Sequence, residues 1–156
     1  MNILFGRTLI QEIMILNDKG IPIFHYSPDA SPIDNYNYPL IASYFDQICK
    51  FTKFGFRESL NSLKMDKSIF YFYTHPASNL HLILKCEGTT DESKIKRRSI
   101  DDCAVIIFEK FITKFQNELK EFKGNITPFK SFANDLDTLI NFKKDSDSSL
   151  LSPEAL

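Results

Sequence analysis

The sequence predicts an α/β protein of the α+β kind: one five-stranded antiparallel sheet with helices on both faces, in the order β-β-α-β-β-β-α-α. Three observations predict it. Ser68–Glu87 reads as two β-favouring runs, SIFYFYTH and LHLILKCE, around the turn-forming PASN, which is the pattern of an antiparallel hairpin. That hairpin carries large apolar groups on both sides. With His75 opposite Leu80, residues Ile69, Tyr71, Tyr73, Leu80, Leu82, Leu84 and Cys86 share one face, and Phe70, Phe72 and Ile83 the other. A sheet wet on one side would show polar residues at every second position, so this one is expected to be buried above and below. Finally, three stretches repeat apolar residues at helical spacing, which supplies covering layers.

Residues 1–8 are ambiguous, because Gly6 interrupts Ile3, Leu4 and Phe5. LIQEIMIL, from Leu9 to Leu16, reads as a strand whose first half is weakened by Gln11 and Glu12. Asn17-Asp18-Lys19-Gly20 is a turn, with Gly20 free to take positive φ. Ile21–Tyr26 returns as a second strand, and Pro22, which has no N–H to donate, places it at an edge. Ser27–Tyr38, with Pro28 and Pro32, is a loop. Pro39 then fits the first position of a helix on which Leu40, Ile41, Tyr44, Phe45, Ile48 and Phe51 form one apolar face, stopped by Gly55.

Arg57–Met65 is a mixed strand and another edge, which leaves the first strand and Leu80–Glu87 near the middle of the sheet. Gly88–Arg98 is a polar segment containing Lys94, Lys96, Arg97 and Arg98. Ser99 is the expected cap of the longest helix, with Asp101 and Asp102 suited to the positive end of its dipole. Its stripe runs Ile100, Cys103, Ile107, Phe111, Phe115, Leu119 and Phe122, and Gly124 ends it. Thr127-Pro128 starts a closing helix with Phe129, Phe132, Leu136, Leu139 and Ile140 on one side. Residues 1–142 are thus expected to form the folded domain, and the polar, Ser-rich 143–156 a flexible tail.

Composition narrows the function. The formal charge of −1 gives no global attraction to nucleic acid or anionic membrane. The three cysteines are widely spaced in apolar segments and show no C-x-x-C pattern, as expected of buried thiols in a reducing compartment. There is no signal-peptide pattern, no apolar run approaching ~18 residues and no lipidation motif. A cytosolic location with at most peripheral membrane association is the expectation.

No catalytic pattern emerges. His75 and His81 fall on opposite faces of the hairpin, against a shared metal, and Cys86 and His81 likewise point apart. Asp101-Asp102 is explained by helix capping, and the five glycines occur singly, so there is no phosphate cradle. No cofactor and no metal are expected. The basic cluster Lys94, Lys96, Arg97 and Arg98 could meet an acidic partner or phosphoinositide headgroups, although a solvated loop explains it more simply. It has no interleaved aromatics, so a nucleic-acid platform has little support. Tyr36 and Tyr38 could cover the sheet edge or touch a partner.

The element order resembles the longin domain, within the wider group that includes roadblock and profilin-like folds. The matching stretches are EIMILNDKGIPIFHY, PLIASYFDQICKF, SIFYFYTHPASNLHLILKCE, SIDDCAVIIFEKFITKFQNEL and PFKSFANDLDTLI, together spanning roughly residues 9–142. The pattern is similar to sedlin-type transport-particle subunits, adaptor small subunits and the N-terminal domain of the signal-recognition-particle receptor. Roadblock proteins open with a helix, whereas this chain is expected to open with a hairpin. The resemblance implies a non-catalytic module that binds small GTPases, coat or tether subunits, or another copy of itself. Under it, docking is expected along the edge strand through Ile21, Ile23 and His25, at the first helix, or at the basic cluster. A small-ligand sensor with a cavity beside the sheet is the alternative, and an enzyme the least supported one.

Overall fold

The computed structural model describes residues 10–27, 38–88 and 94–139, which fall in two compact units, 10–88 and 94–139. In the first, β1 (Ile10–Leu16), β2 (Pro22–Tyr26), β3 (Ser62–Lys64), β4 (Ser68–Thr74) and β5 (His81–Glu87) form one sheet in the order β2-β1-β5-β4-β3. Every pair is antiparallel. The two predicted edges are the edges, and β5 lies at the centre.

The β4–β5 register is the predicted one. Phe72 pairs with Ile83 and Tyr71 with Leu84. The His75 N–H donates to the Leu80 carbonyl at 2.9 Å, and Asn79 takes φ +57 to close the turn. Both sheet faces are buried. Ile13, Ile15, Leu82, Leu84 and Cys86 on one side have no exposed surface. On the other, Met14, Leu16 and Ile83 pack with Ala42 and Phe45 of the helix α1 (Tyr38–Phe51), joined by Phe70, Phe72 and Leu63. The Phe45 ring lies 4.8 Å from that of Phe70 and 5.3 Å from that of Phe72, aromatic contacts in tilted and edge-on geometry.

Four expectations are corrected. The expected strand Arg57–Met65 is reduced to Ser62–Lys64, because α1 continues as a π-helix, Thr52–Phe56. Gly55 lies inside that turn instead of stopping the helix. Arg57 stops it at φ +58, with its N–H donating to the Thr52 carbonyl. The longest helix, α2, begins at Lys94 (Lys94–Lys114), so Ser99 is interior and the basic cluster occupies the first turns instead of a loop. Lys and Arg are good helix formers, and Arg97 donates to Asp101 one turn on at 3.1 Å, which helps to offset cations at the positive end of the dipole.

The single long helix expected to carry the stripe from Ile100 to Phe122 also breaks. Phe115 departs from helical geometry, and a short α3 (Gln116–Lys120) follows. A 3-10 turn (Thr127–Ser131) then leads into α4, residues 132–139. The apolar residues of the two predicted helix faces meet: Phe111, Phe115, Phe129 and Phe132 are buried together, with ring centroids 4.9–6.1 Å apart. Residues 1–8, Pro28 and Pro32, Ile140 and the tail from 143 lie outside the described residues.

The β1–β2 turn seats against α1. Asn17 Oδ1 accepts from the Lys19 and Ile21 N–H groups, both at 2.9 Å, and Gly20 sits at φ +80. A Cβ on Gly20 would stand 2.3 Å from Asp46 Cγ. Gly20→Ala therefore combines backbone strain with a collision, and we expect a loss of about 1–3 kcal/mol, read from the urea midpoint.

Candidate functional site

Among the described residues, exposed apolar surface is concentrated on the outer side of α1 and its π extension. Stepping about 100° per residue, Leu40, Tyr44 and Phe51 fall within roughly 40° of one another. Leu40 is 70% exposed, Phe51 65% and Phe54, in the π turn, 77%. Phe56 and Tyr44 are exposed as well, and the Phe51 and Phe56 rings meet edge to face at 5.8 Å. The buried arc of the same helix, Ala42, Phe45 and the half-buried Cys49, lies roughly 150° round. The single apolar face expected of this helix is thus two faces, of which only one packs on the sheet.

The residues singled out from the sequence are scattered. Ile21 is 42% exposed on the edge strand's approach, but Ile23 is buried. The His25 side chain is turned inward, where its Nε2 bonds Glu12 Oε1 at 3.0 Å; a carboxylate only accepts, so this nitrogen carries the proton. Lys85 Nζ reaches the other Glu12 oxygen at 2.9 Å. Arg97 is committed to Asp101, and Arg98 is exposed. Lys94 and Lys96 take their places in the first turn of α2, and Tyr36 lies outside the described residues. Among the described residues, no three of His, Cys, Asp and Glu converge as a metal would need, and no helix is long and apolar enough to cross a membrane.

At the C-terminal end of α1 the sheet and helix part to leave a cleft of about 680 Å³, which no sequence pattern marked. Cys49 and His81 line it. Burial, then the Asp46 charge, pushes the Cys49 thiol up to about 11, so it stays protonated and a poor nucleophile at neutral pH. Burial lowers the His81 pKa and outweighs Asp46, so its imidazole is neutral there; its Nδ1 lies 3.0 Å from Thr74 Oγ1.

No family model matches the sequence, and no curated protein is significantly similar to it. Solved structures do match. A chain of the mammalian SRP receptor superposes with a TM-score of 0.53 at 9% identity, covering 90% of this chain and 99% of that one. MglB of Myxococcus xanthus aligns at 12% identity over 62% of this chain and 83% of its own, with a TM-score of 0.41. A Roadblock/LC7 domain from Streptomyces avermitilis aligns at 11% identity over 69% and 86%, with a TM-score of 0.45. At such identities the SRP-receptor likeness is one of fold, and the fold is longin-like, as the element order implied.

Glu12, half-buried between His25 and Lys85, offers a pH test. Burial would raise its pKa, but hydrogen bonds from His25 and Lys85 prevail and hold the carboxyl below its ordinary value. A depressed carboxyl contributes stability above its unfolded pKa and loses it as pH falls through the folded value. Glu12→Gln is therefore expected to cost about 1–3 kcal/mol at pH 7 and to flatten the loss of stability on acidification below roughly pH 4.3. Parallel pH–stability curves for the two proteins would contradict this.

Proposed function

We propose that this chain is a non-catalytic docking module of a small-GTPase-linked or membrane-trafficking-type assembly, and that it docks through the outer side of α1 and the π turn. The observation that carries this reading is the exposed run of Leu40, Tyr44, Phe51, Phe54 and Phe56 on one element. Large apolar side chains left together in water mark a surface that a partner covers, whereas isolated ones need no such account. Aromatic residues dominate the run, as they do the centres of protein interfaces. The GTPase link follows from the longin resemblance and is supported by the shared fold with a chain of the SRP receptor.

The edge strand β2 is a less favourable site than its sequence implied. Pro22 withholds one N–H, the Ile15–Leu16 register shift distorts the ladder, and Ile23 and His25 spend their side chains inward. Peripheral membrane or phosphoinositide contact through the basic cluster is likewise reduced by the Arg97–Asp101 pair.

Size-exclusion chromatography with light scattering, on the chain alone and with small GTPases in GDP-bound and GTP-analogue-bound forms, tests the reading. A complex or self-association is expected, weakened by about tenfold or more in Leu40→Glu/Phe51→Glu. Those exposed positions should change folding stability by only about 0.5 kcal/mol. A strict monomer that binds none of the GTPases, or a complex indifferent to both substitutions, would count against it.

A further inference from the structure

The cleft at the end of α1 shares Phe54 with the docking surface but has its own chemistry. Its volume of about 680 Å³ falls within the roughly 300–1,000 Å³ usual for small-molecule sites. Leu16, Phe45, Phe72 and Ile83 give it an apolar floor. The π turn supplies Lys53 and Phe54 to its mouth, and such turns recur at functional sites.

Four charged side chains line it, two of each sign: Asp18, Asp46, Lys50 and Lys53. Lys50 and Asp46 satisfy each other at 2.9 Å. Among the described residues Asp18 and Lys53 make no ion pair, so the rim offers one uncommitted anion and one uncommitted cation. His81 lines the same cleft. Its Nδ1 is taken by Thr74, which leaves Nε2 for a ligand's polar group.

We propose that the cleft binds a small zwitterion bearing an apolar group, an apolar α-amino acid being the type. The apolar group lies on the Phe45–Phe72 floor, the carboxylate is met by Lys53 and the ammonium by Asp18. A ligand with charge of one sign would satisfy one rim group and meet the other as a like charge. Both rim groups are open to water, so they set selectivity more than affinity.

The test is a 1H–15N NMR titration of the full chain with L-phenylalanine, 3-phenylpropionate and phenethylamine, which share the ring and differ in charge. We expect saturable shifts at Asp18, Lys53 and His81 with L-phenylalanine, at an affinity at least about fivefold above either singly charged analogue. Lys53→Gln and Asp18→Asn should each weaken it by about threefold or more while leaving the other resonances in place. No saturation by about 10 mM, or a preference under about fivefold, overturns the proposal. Either result leaves the GTPase reading standing, because that reading predicts nothing about free amino acids.

Discussion

The pairing of β5 between β1 and β4, with large side chains on both of its faces, is the constraint on which the rest depends. Because alternate residues of a strand point to opposite sides, Leu82 and Leu84 serve one layer of the core while Ile83 serves the other. Neither residue set can turn outward without abandoning the other, so the register is pinned from both sides. The same constraint removes the sheet faces as recognition surfaces. What remains for a partner is the outside of the covering layer and the places where strands end.

α1 shows how one element serves both demands. Ala42 lets the helix axis approach the sheet, and Phe45 fills the space between Phe70 and Phe72. On the far side Leu40, Tyr44 and Phe51 have no such partner and stay in water. At its end the helix widens into a π turn, closed by Arg57 in left-handed geometry, and the cleft opens beside it. Phe54 belongs to both features, exposed with the apolar run and bordering the cleft. Recognition on the outer face and occupancy of the cleft therefore meet at one ring.

Much of the fold was legible because two-fold alternation and turn residues are local signals. PASN placed the hairpin turn, Asn79 supplied its positive φ, and Pro22 marked an edge. The helix limits were less legible for energetic reasons. Lys94–Arg98 is polar enough to resemble a loop, yet each residue tolerates a helix and Arg97 gains a partner one turn on. Gly55 has the chemistry of a stop, but the π turn moved the stop to Arg57. The two-faced character of α1 was hidden by reading hydrophobicity without burial. Its clue was angular, since Leu40 and Phe45 are too far apart on the helix to share one contact. The cleft was foreseen only as the alternative of a cavity beside the sheet, and its lining left no trace, because Asp18, Lys53 and His81 come from three separate segments that only the fold brings together.

Hydroxyl-radical footprinting of the phenylalanine side chains tests the central claim most directly, namely that α1 spends one apolar face on the sheet and leaves the other in water. The protein is held at a concentration where light scattering reads a single chain. The account predicts rapid oxidation of Phe51, Phe54 and Phe56 and slow oxidation of Phe45, Phe111 and Phe132. Protection of Phe51 and Phe54 equal to that of Phe45 in the single chain would contradict it.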